Sequence, residues 1–376
     1  MSVKELLAEL VNIDSMSSRS NVEIVSYLED CCRELGFGVK RYAYKDDAGI
    51  EKANLVCIAG LAEGAAQEVD LALVGHTDTV PYDPNWLEAT TLTEREGKLY
   101  GRGACDTKAF IAAALTAVED VGAGCLRRPL ALIFTADEEI GLLGAKRLVA
   151  EQPLRVRNAI VGEPTSLQPI RAGKGYCLAE IIVRGREAHS AYPALGSSAI
   201  FRAARLITRI EEIAEKLTQE QHPDFNPAFT TLNVGLIHGG SAKNVIAGEC
   251  RFTLEWRTIP GQTSGKLLEY LGQAIDEQKT IDPEFDCEVK AGRADTGFET
   301  APNAGLVTLL EKATGKQAGT VAFGTEAAQL TQLGAEAVVL GPGDIRVAHR
   351  TGEYVPTREL EGCVEVLRQA IEQICT

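Results

Sequence analysis

Basic charge and long apolar runs are both scarce in this sequence of 376 residues. Lys and Arg number 38 against 53 Asp and Glu, a formal charge of −15. Nucleic acids and anionic membranes are bound through basic surfaces, so neither is an expected partner. The most apolar stretch, FIAAALTAV, has about half of the 18 to 20 residues that a membrane span needs. The first residues, MSVKELLAEL, carry charges where a signal peptide is apolar, so the sequence predicts a cytoplasmic protein.

Disulfide-forming patterns are also missing, although the chain has ten cysteines. Cys31 and Cys32 are adjacent, no pair has the spacing CxxC, and other cysteines lie inside apolar runs such as NLVCI. Secreted disulfide frameworks do not have this distribution, so we expect reduced, buried thiols.

Strands and helices alternate over most of the chain. Near-continuous apolar runs, among them DLALVG, LALIFTA and NAIVG, predict buried strands, and segments such as FIAAALTAVEDV have helical periodicity. Apolar strands separated by helices are typical of a mostly parallel sheet covered on both faces. The chain is longer than the roughly 250 to 300 residues at which a single core stops growing, so we expect two domains.

Residues 171–294 follow a different order from the rest of the chain. The pattern there is strand-helix-strand-strand-helix-strand, which is that of a ferredoxin-like α+β sandwich. Residues 295–376 return to helix, strand and helix. We therefore predict a doubly wound α/β domain formed by residues 1–170 and 295–376, with the smaller α+β domain inserted into it.

Only five histidines occur, and two of them lie with several carboxylates at the ends of predicted strands or just before a helix. Ligands of open parallel sheets bind at the carboxyl ends of the strands. The residues at these positions are His76, Asp78, Asp106, Asp137, Glu138, Glu139, Glu163 and His349. Imidazoles and carboxylates are donors that divalent cations such as Zn²⁺ accept, so this joint placement predicts a metal site.

Each of these residues alone has a plainer interpretation. A histidine at a strand end is usually a hydrogen-bonded structural residue, and an aspartate before a helix is usually an N-cap. Their convergence favours metal binding. The step from His76 to Asp78 puts both side chains on one side of extended backbone, so Asp78 can hold the far ring nitrogen of a metal ligand. Of Glu138 and Glu139, one can bind metal while the other serves as general base.

Five motifs resemble those of the dinuclear zinc peptidases and deacylases, a family that includes aminoacylase and succinyl-diaminopimelate desuccinylase. In chain order they are GHTDTVP, GRGACDTK, TADEEIGLLGAK, GEPTSLQP and GPGDIRVAH. The resemblance spans nearly the whole chain. The longer block GEPTSLQPIRAGKGY, together with GREAHSAYPALG, is most similar to the members that deacetylate N-acetylornithine.

The resemblance implies two Zn²⁺ per subunit, for which Co²⁺ can substitute. It assigns His76 and Glu163 to one metal ion and Glu139 and His349 to the other. Asp106 is implied to bridge the two ions.

Catalytic roles are implied in the same way. Glu138 becomes the general base, Asp78 orients His76, and His189 of the inserted domain stabilises the oxyanion, typically from the partner subunit. The inserted domain is implied to be a lid and dimerisation domain, so the expected assembly is a homodimer.

The resemblance also assigns substrate contacts and one unusual peptide bond. The residues assigned to the substrate are Asn244, Arg257, Thr325 and Glu326. Arg257 has the planar fork that suits a carboxylate, and Glu326 has the charge to balance an ammonium group. A cis peptide bond is implied between Asp106 and Thr107.

The implied reaction is hydrolysis of a small N-acyl amino acid. N-acetyl-L-ornithine is the first expectation, giving L-ornithine and acetate in arginine biosynthesis. Other N-acyl amino acids, such as N-acetylcitrulline and N-succinyl-diaminopimelate, and dipeptidase or carboxypeptidase substrates are alternatives, because the metal site handles only the amide.

Two other classes of function are less favoured. A nucleotide-dependent transferase needs a phosphate-binding loop, and the nearest segment, LEKATGKQ, departs from GxxxxGK[ST] at both ends. A binding protein without activity is disfavoured because none of the five metal-ligand positions is lost.

Overall fold

The structure, a computed structural model, describes residues 1–60, 68–152 and 154–376. The strands within these residues are β1 (Gly38–Lys45), β2 (Glu51–Ala59), β3 (Glu68–His76), β4 (Thr93–Arg95), β5 (Lys98–Tyr100), β6 (Leu130–Thr135), β7 (Arg155–Val161), β8 (Ile170–Gly173), β9 (Tyr176–Arg184), β10 (Thr231–Gly239), β11 (Glu249–Arg257), β12 (Asp286–Asp295), β13 (Phe298–Glu299), β14 (Gly319–Val321), β15 (Glu336–Val339) and β16 (Tyr354–Pro356). The α-helices are α1 (Val3–Asn12), α2 (Val22–Glu34), α3 (Lys108–Val121), α4 (Leu143–Glu151), α5 (Ala199–Leu217), α6 (Lys266–Ile281), α7 (Gly305–Thr314), α8 (Ala327–Gln332) and α9 (Thr357–Cys375).

The chain divides into two compact units. The first comprises Met1–Arg171, Thr300–Gly319 and Thr325–Thr376, and the second comprises Ala172–Glu299 and Thr320–Gly324. Each unit has its own hydrophobic core.

A mixed sheet forms the centre of the first unit. The strands of this sheet that lie wholly in the first unit's first segment, together with β15, follow the order β1-β2-β6-β3-β7-β15, after which the sheet continues with β8 and β13. The pairs β3–β6, β3–β7 and β7–β15 are parallel, as predicted, whereas β1–β2 and β2–β6 are antiparallel. The carboxyl ends of β3, β6, β7 and β15 therefore lie at one edge of the sheet.

Both faces of this sheet are covered, as the continuous apolar runs predict. On β3, Leu71 and Leu73 belong to a core cluster that also contains residues of α1, α2, α3, α7 and α9. Their neighbours Ala72 and Val74 are equally buried but lie outside that cluster, because successive strand residues point to opposite faces. Helices α4 and α8 contact each other and strands β2, β7 and β15.

The second unit contains the predicted ferredoxin-like order. Strands β9, β10, β11 and β12 alternate with α5 and α6 and form an antiparallel sheet in the order β10-β11-β9-β12. The buried stripe of α5, including Ala203, Leu206 and Ile210, packs in one cluster with β11 residues such as Phe252 and Leu254. This arrangement leaves β10 at an edge of its sheet.

All ten cysteines fall within the described residues, and no two of them form a disulfide there. Within the same ranges, none of the helices combines the length and the apolar character needed to cross a membrane.

Candidate metal centre

The predicted strand-end residues meet at the carboxyl edge of the first unit's sheet. His76 is the last residue of β3, Glu138 and Glu139 follow β6, and Glu163 follows β7. Because β3 pairs in parallel with both β6 and β7, these three chain segments leave the sheet side by side. Asp106 lies two residues before α3, and His349 lies in the loop after β15.

Asp106 lies at the centre of the cluster. Its Oδ1 atom is 3.1 Å from Nε2 of His76, and its Oδ2 atom is 3.0 Å from Nε2 of His349. His349 Nε2 is also 3.1 Å from Oε1 of Glu139. Donor atoms of His76, Asp106 and Glu139 all lie within 4.8 Å of one another. The two oxygens of one carboxylate therefore face two different imidazoles.

The cluster is buried on one side and open on the other. His76 is 1% exposed, Asp106 5% and Glu163 7%, whereas the His349 side chain is 50% exposed. Solvent therefore reaches the cluster at His349.

Burial, and after it the crowding of acidic groups, raises the pKa values of the three glutamates in this cluster. The pKa of Glu163 lies well above its ordinary value, first because of burial and then because of the charges of Asp106 and Glu138. Burial likewise raises the pKa of Glu138, and the neighbouring Glu139 carboxylate raises it further. Hydrogen bonds to Asp106 and Glu139 raise the pKa of His349 to about 10. A divalent cation relieves this repulsion, so the donor set fits a metal centre.

Asp78 has a different contact from the one predicted. Nδ1 of His76 lies 2.9 Å from the backbone carbonyl oxygen of Asp78 and 3.7 Å from its carboxylate, so the carbonyl holds the ring. The Asp78 carboxylate instead accepts hydrogen bonds from the amides of Glu138 (3.0 Å) and Glu139 (3.3 Å). Asp78 thus orients the histidine through its backbone. Its side chain holds the turn of Asp137, Glu138 and Glu139 that follows β6, which we call the glutamate turn.

The backbone around Asp106 is held by a residue that sequence reasoning missed. The buried Glu353 carboxylate accepts hydrogen bonds from the amides of Cys105 (2.9 Å) and Asp106 (3.0 Å), and it pairs with Arg102. The peptide bond between Asp106 and Thr107 is cis, as the resemblance implied. The only sequence signal for Glu353 is its position four residues after His349.

Other missed residues lie beneath the glutamate turn. The Ser17 hydroxyl donates a hydrogen bond to the Asp78 carboxylate (2.7 Å), and Lys52 pairs with Asp137 (2.6 Å). Lys52 is fully buried within β2. A lysine beside the apolar run ANLVCIA is the signal that points to such a buried partner.

The predicted substrate residues are divided between the units. Thr325 and Glu326, in the first unit, are each 1% exposed at the start of α8, and burial raises the pKa of Glu326 to about 7. In the second unit, His189 and Asn244 are exposed on adjacent loops, since the Asn244 carbonyl accepts a hydrogen bond from the amide that follows His189. Arg257, on β11, lies over the Tyr176 ring and pairs with its neighbour Glu255 (2.7 Å).

The two histidines without a predicted role also lie in the second unit. Nε2 of His222 is 3.1 Å from Glu299, and these two residues form with Asp224 a second group of possible metal donors. His238 is exposed on β10.

A doubly wound sheet with imidazoles and carboxylates converging at its carboxyl edge defines a metal-dependent hydrolase. The chain belongs to Peptidase family M20/M25/M40, whose family model matches residues 72–373. The family predicted from the five motifs is thereby confirmed.

Individual relatives cover nearly the whole chain. The chain is 51% identical over 374 residues to the acetylornithine deacetylase of Myxococcus xanthus, covering 99% of this chain and 97% of the relative. It is 37% identical over 360 residues to the acetylornithine deacetylase of Klebsiella pneumoniae, covering 95% and 92%. Among solved structures it is similar to a tripeptidase from Staphylococcus aureus, with a TM-score of 0.78, 25% identity and coverage of 99% and 97%.

Proposed function

We propose that this hydrolase removes the acetyl group from N-acetyl-L-ornithine, giving L-ornithine and acetate. The choice of substrate rests on the 51% identity, over nearly the full chain, to a relative named acetylornithine deacetylase. The reaction is a step of arginine biosynthesis, and we place it in the cytoplasm.

The metal assignment rests on the geometry around Asp106. In this proposal His76 and Glu163 would hold one Zn²⁺, Glu139 and His349 would hold the other, and Asp106 would be shared by both. It is supported by the two Asp106 oxygens facing two imidazoles. Metal ions held there would supply Lewis-acid polarisation of the acyl carbonyl and a lowered pKa for water, and Co²⁺ would serve in place of Zn²⁺.

Protein groups then move the proton and stabilise charge. Glu138 takes a proton from the attacking water and passes it to the leaving amine. Glu138 lies beside the proposed metal ligands, and burial raises the pKa of its carboxyl group above the ordinary value. His189 donates to the developing oxyanion.

We propose different roles for the two domains. We assign the metal centre to the domain of residues 1–170 and 295–376, and a lid to residues 171–294. Arg257 and Asn244 of the lid hold the substrate carboxylate, which suits the half-buried guanidinium of Arg257. Thr325 and Glu326 are buried at the start of α8, and we assign them to the substrate, with Glu326 facing its ammonium group.

A substrate panel tests the proposed function. The purified protein, loaded with Zn²⁺ or with Co²⁺, is assayed with N-acetyl-L-ornithine, N-acetylcitrulline, N-acetylglutamate, N-succinyl-diaminopimelate and dipeptides. We expect the highest kcat/KM for N-acetyl-L-ornithine, by at least about tenfold, because one unpaired polar group in a specific site costs this much or more. Absence of ornithine release with either metal rejects the assignment.

We also propose a homodimer formed through the second unit. Strand β10 is an edge strand, and its residues Leu236 and Ile237 are 61% and 51% exposed. An apolar edge strand favours pairing with another chain.

Mixing two inactive variants tests the dimer together with the role of His189. If His189 acts across the dimer, co-expressed Glu138→Gln and His189→Ala chains recover about a quarter of wild-type activity, because half of the dimers are mixed and each has one intact site. Sedimentation velocity of the wild type gives the assembly state. Recovery of no activity by a mixed dimer contradicts action in trans, and a wild-type monomer contradicts the dimer itself.

A further inference from the structure

The backbone conformation of Asp137 is unusual. Its φ is 56°, in the left-handed region, although it is not a glycine. This conformation is unfavourable for an L-residue and persists where the surroundings hold it. Asp137 immediately precedes Glu138 and Glu139, so its conformation sets the direction in which both carboxylates leave the sheet.

Two side chains from β1 and β2 hold the Asp137 carboxylate, which is fully buried. Its Oδ1 atom accepts a hydrogen bond from Nζ of Lys52 (2.6 Å), and its Oδ2 atom accepts one from the Tyr44 hydroxyl (2.9 Å). Tyr44 and Lys52 are directly opposite each other in the β1–β2 pair, so their side chains lie on the same face.

Ser17 joins this group to the other side of the glutamate turn. Its carbonyl oxygen accepts a hydrogen bond from Lys52 (2.6 Å), and its hydroxyl donates one to the Asp78 carboxylate (2.7 Å). The Asp78 carboxylate in turn accepts hydrogen bonds from the amides of Glu138 and Glu139. One continuous network therefore fixes the turn through the Asp137 side chain and through the two following amides.

We propose that Lys52 and Asp137 are positioning residues that hold Glu138 and Glu139 toward the metal centre. This inference rests on the roles proposed above for those two glutamates. Stability alone explains the pair poorly, because an apolar pair of similar volume in place of a buried ion pair is often neutral or stabilising. A pair that orients metal ligands, by contrast, affects function directly. Loss of such orienting residues typically weakens metal binding or activity about 10-fold to 100-fold.

The test replaces both charges at once, in Lys52→Met/Asp137→Leu, so that no unpaired charge is left buried. We expect kcat to fall about 10-fold to 100-fold with KM changed less than about threefold, because the glutamates are misdirected while substrate contacts remain. Competition with a chelator for Zn²⁺ gives a readout independent of turnover, and we expect metal affinity to fall by about 10-fold. Tyr44→Phe removes a single hydrogen bond, and we expect a loss in kcat of about two- to fivefold.

A partly buried ion pair in the second unit provides the control. Arg202 is 5% exposed and pairs with Asp282 (2.8 Å), whose side chain is 26% exposed. Arg202→Met/Asp282→Leu removes an ion pair by the same kind of substitution, and we expect it to leave kcat and metal affinity within about twofold of wild type.

Wild-type kcat and metal affinity in a folded Lys52→Met/Asp137→Leu protein overturn the inference. If that variant does not fold, Tyr44→Phe decides, and unchanged kcat and metal affinity in it likewise overturn the inference. Failure of the proposed function is recognised separately, because the wild type then releases no ornithine. The chelator competition still reports on the role of the pair in that event.

Discussion

We expect Glu138→Gln to lower kcat for N-acetyl-L-ornithine by about 10³-fold, within the range of about 10² to 10⁴ that general acid–base catalysis contributes. Glutamine has nearly the same size and accepts hydrogen bonds, but it cannot take the proton of the attacking water. Because Glu138 is not among the proposed metal ligands, we expect metal content to stay at the wild-type value and KM to change less than about threefold. Steady-state kinetics on the metal-loaded protein, with metal content measured on the same sample, checks this result.

Two further variants distinguish loss of the proton acceptor from other effects of the substitution. Glu361→Gln makes the same substitution at an exposed position on α9, and it leaves kcat unchanged. Glu138→Asp keeps a carboxylate one methylene shorter, and it retains more activity than Glu138→Gln. Normal turnover by Glu138→Gln with both metal ions bound shows that another group is the base.

We expect removal of metal by a chelator to abolish activity, and addition of Zn²⁺ or Co²⁺ to restore it. The metal-free protein is also less stable, because ligands that bind the folded state contribute about 3 kcal/mol when free metal is about 100 times its Kd. Activity and thermal unfolding, measured before and after chelation and again after metal is added back, check both effects. Full activity after complete metal removal contradicts the metal centre.

The metal-free protein is expected to lose stability as pH rises. The pKa of Glu163 is raised above its ordinary 4.5, and that of His349 is raised from 6.5 to about 10. Both groups hold protons more tightly in the folded state, so their contribution is full below the unfolded pKa values and is lost as pH rises through the folded ones. The lowered pKa of Asp106 acts in the opposite direction, but below its unfolded value of 3.8.

Metal-free protein therefore unfolds at a lower temperature at about pH 8.5 than at about pH 6. The metal-loaded protein shows a smaller difference, because cations replace the protons that relieve repulsion between the carboxylates. Differential scanning calorimetry of both forms at the two pH values measures the difference. Metal-free protein that becomes more stable as pH rises contradicts this account of the cluster.

The sequence predicts the strand-end cluster well because its residues follow strands with strong apolar signals. DLALVG, LALIFTA and NAIVG become β3, β6 and β7, and their parallel pairing brings His76, Glu139 and Glu163 to one edge. The ferredoxin-like order is predicted for the same reason, since β9 and β11 bury alternate residues and α5 has a continuous apolar stripe.

The network beneath the glutamate turn is not predictable in the same way. Strand β1, GVKRYAYK, alternates between exposed and half-buried residues and has no apolar run, so its antiparallel pairing with β2 leaves no clear sequence signal. Without that pairing, nothing places Tyr44 and Lys52 on one face against Asp137. The short elements α8 and β16 are missed because six and three residues are too few to show a period.

The carboxylate of Asp78 shows why a correct residue can have an unexpected contact. Alternation along a strand indicates that Asp78 and His76 share a side, but it does not show which atoms meet. The tight turn after β6 presents two backbone amides, of Glu138 and Glu139, and the Asp78 carboxylate satisfies both. The carbonyl of Asp78 then remains to hold the imidazole.

Anomalous diffraction from crystals of the Zn²⁺-loaded protein, recorded on both sides of the zinc absorption edge, tests the metal centre most directly. We predict two peaks on either side of the Asp106 carboxylate, one beside His76 and Glu163 and the other beside His349 and Glu139. No peak at Asp106, or zinc only at His222 and Glu299, contradicts the account.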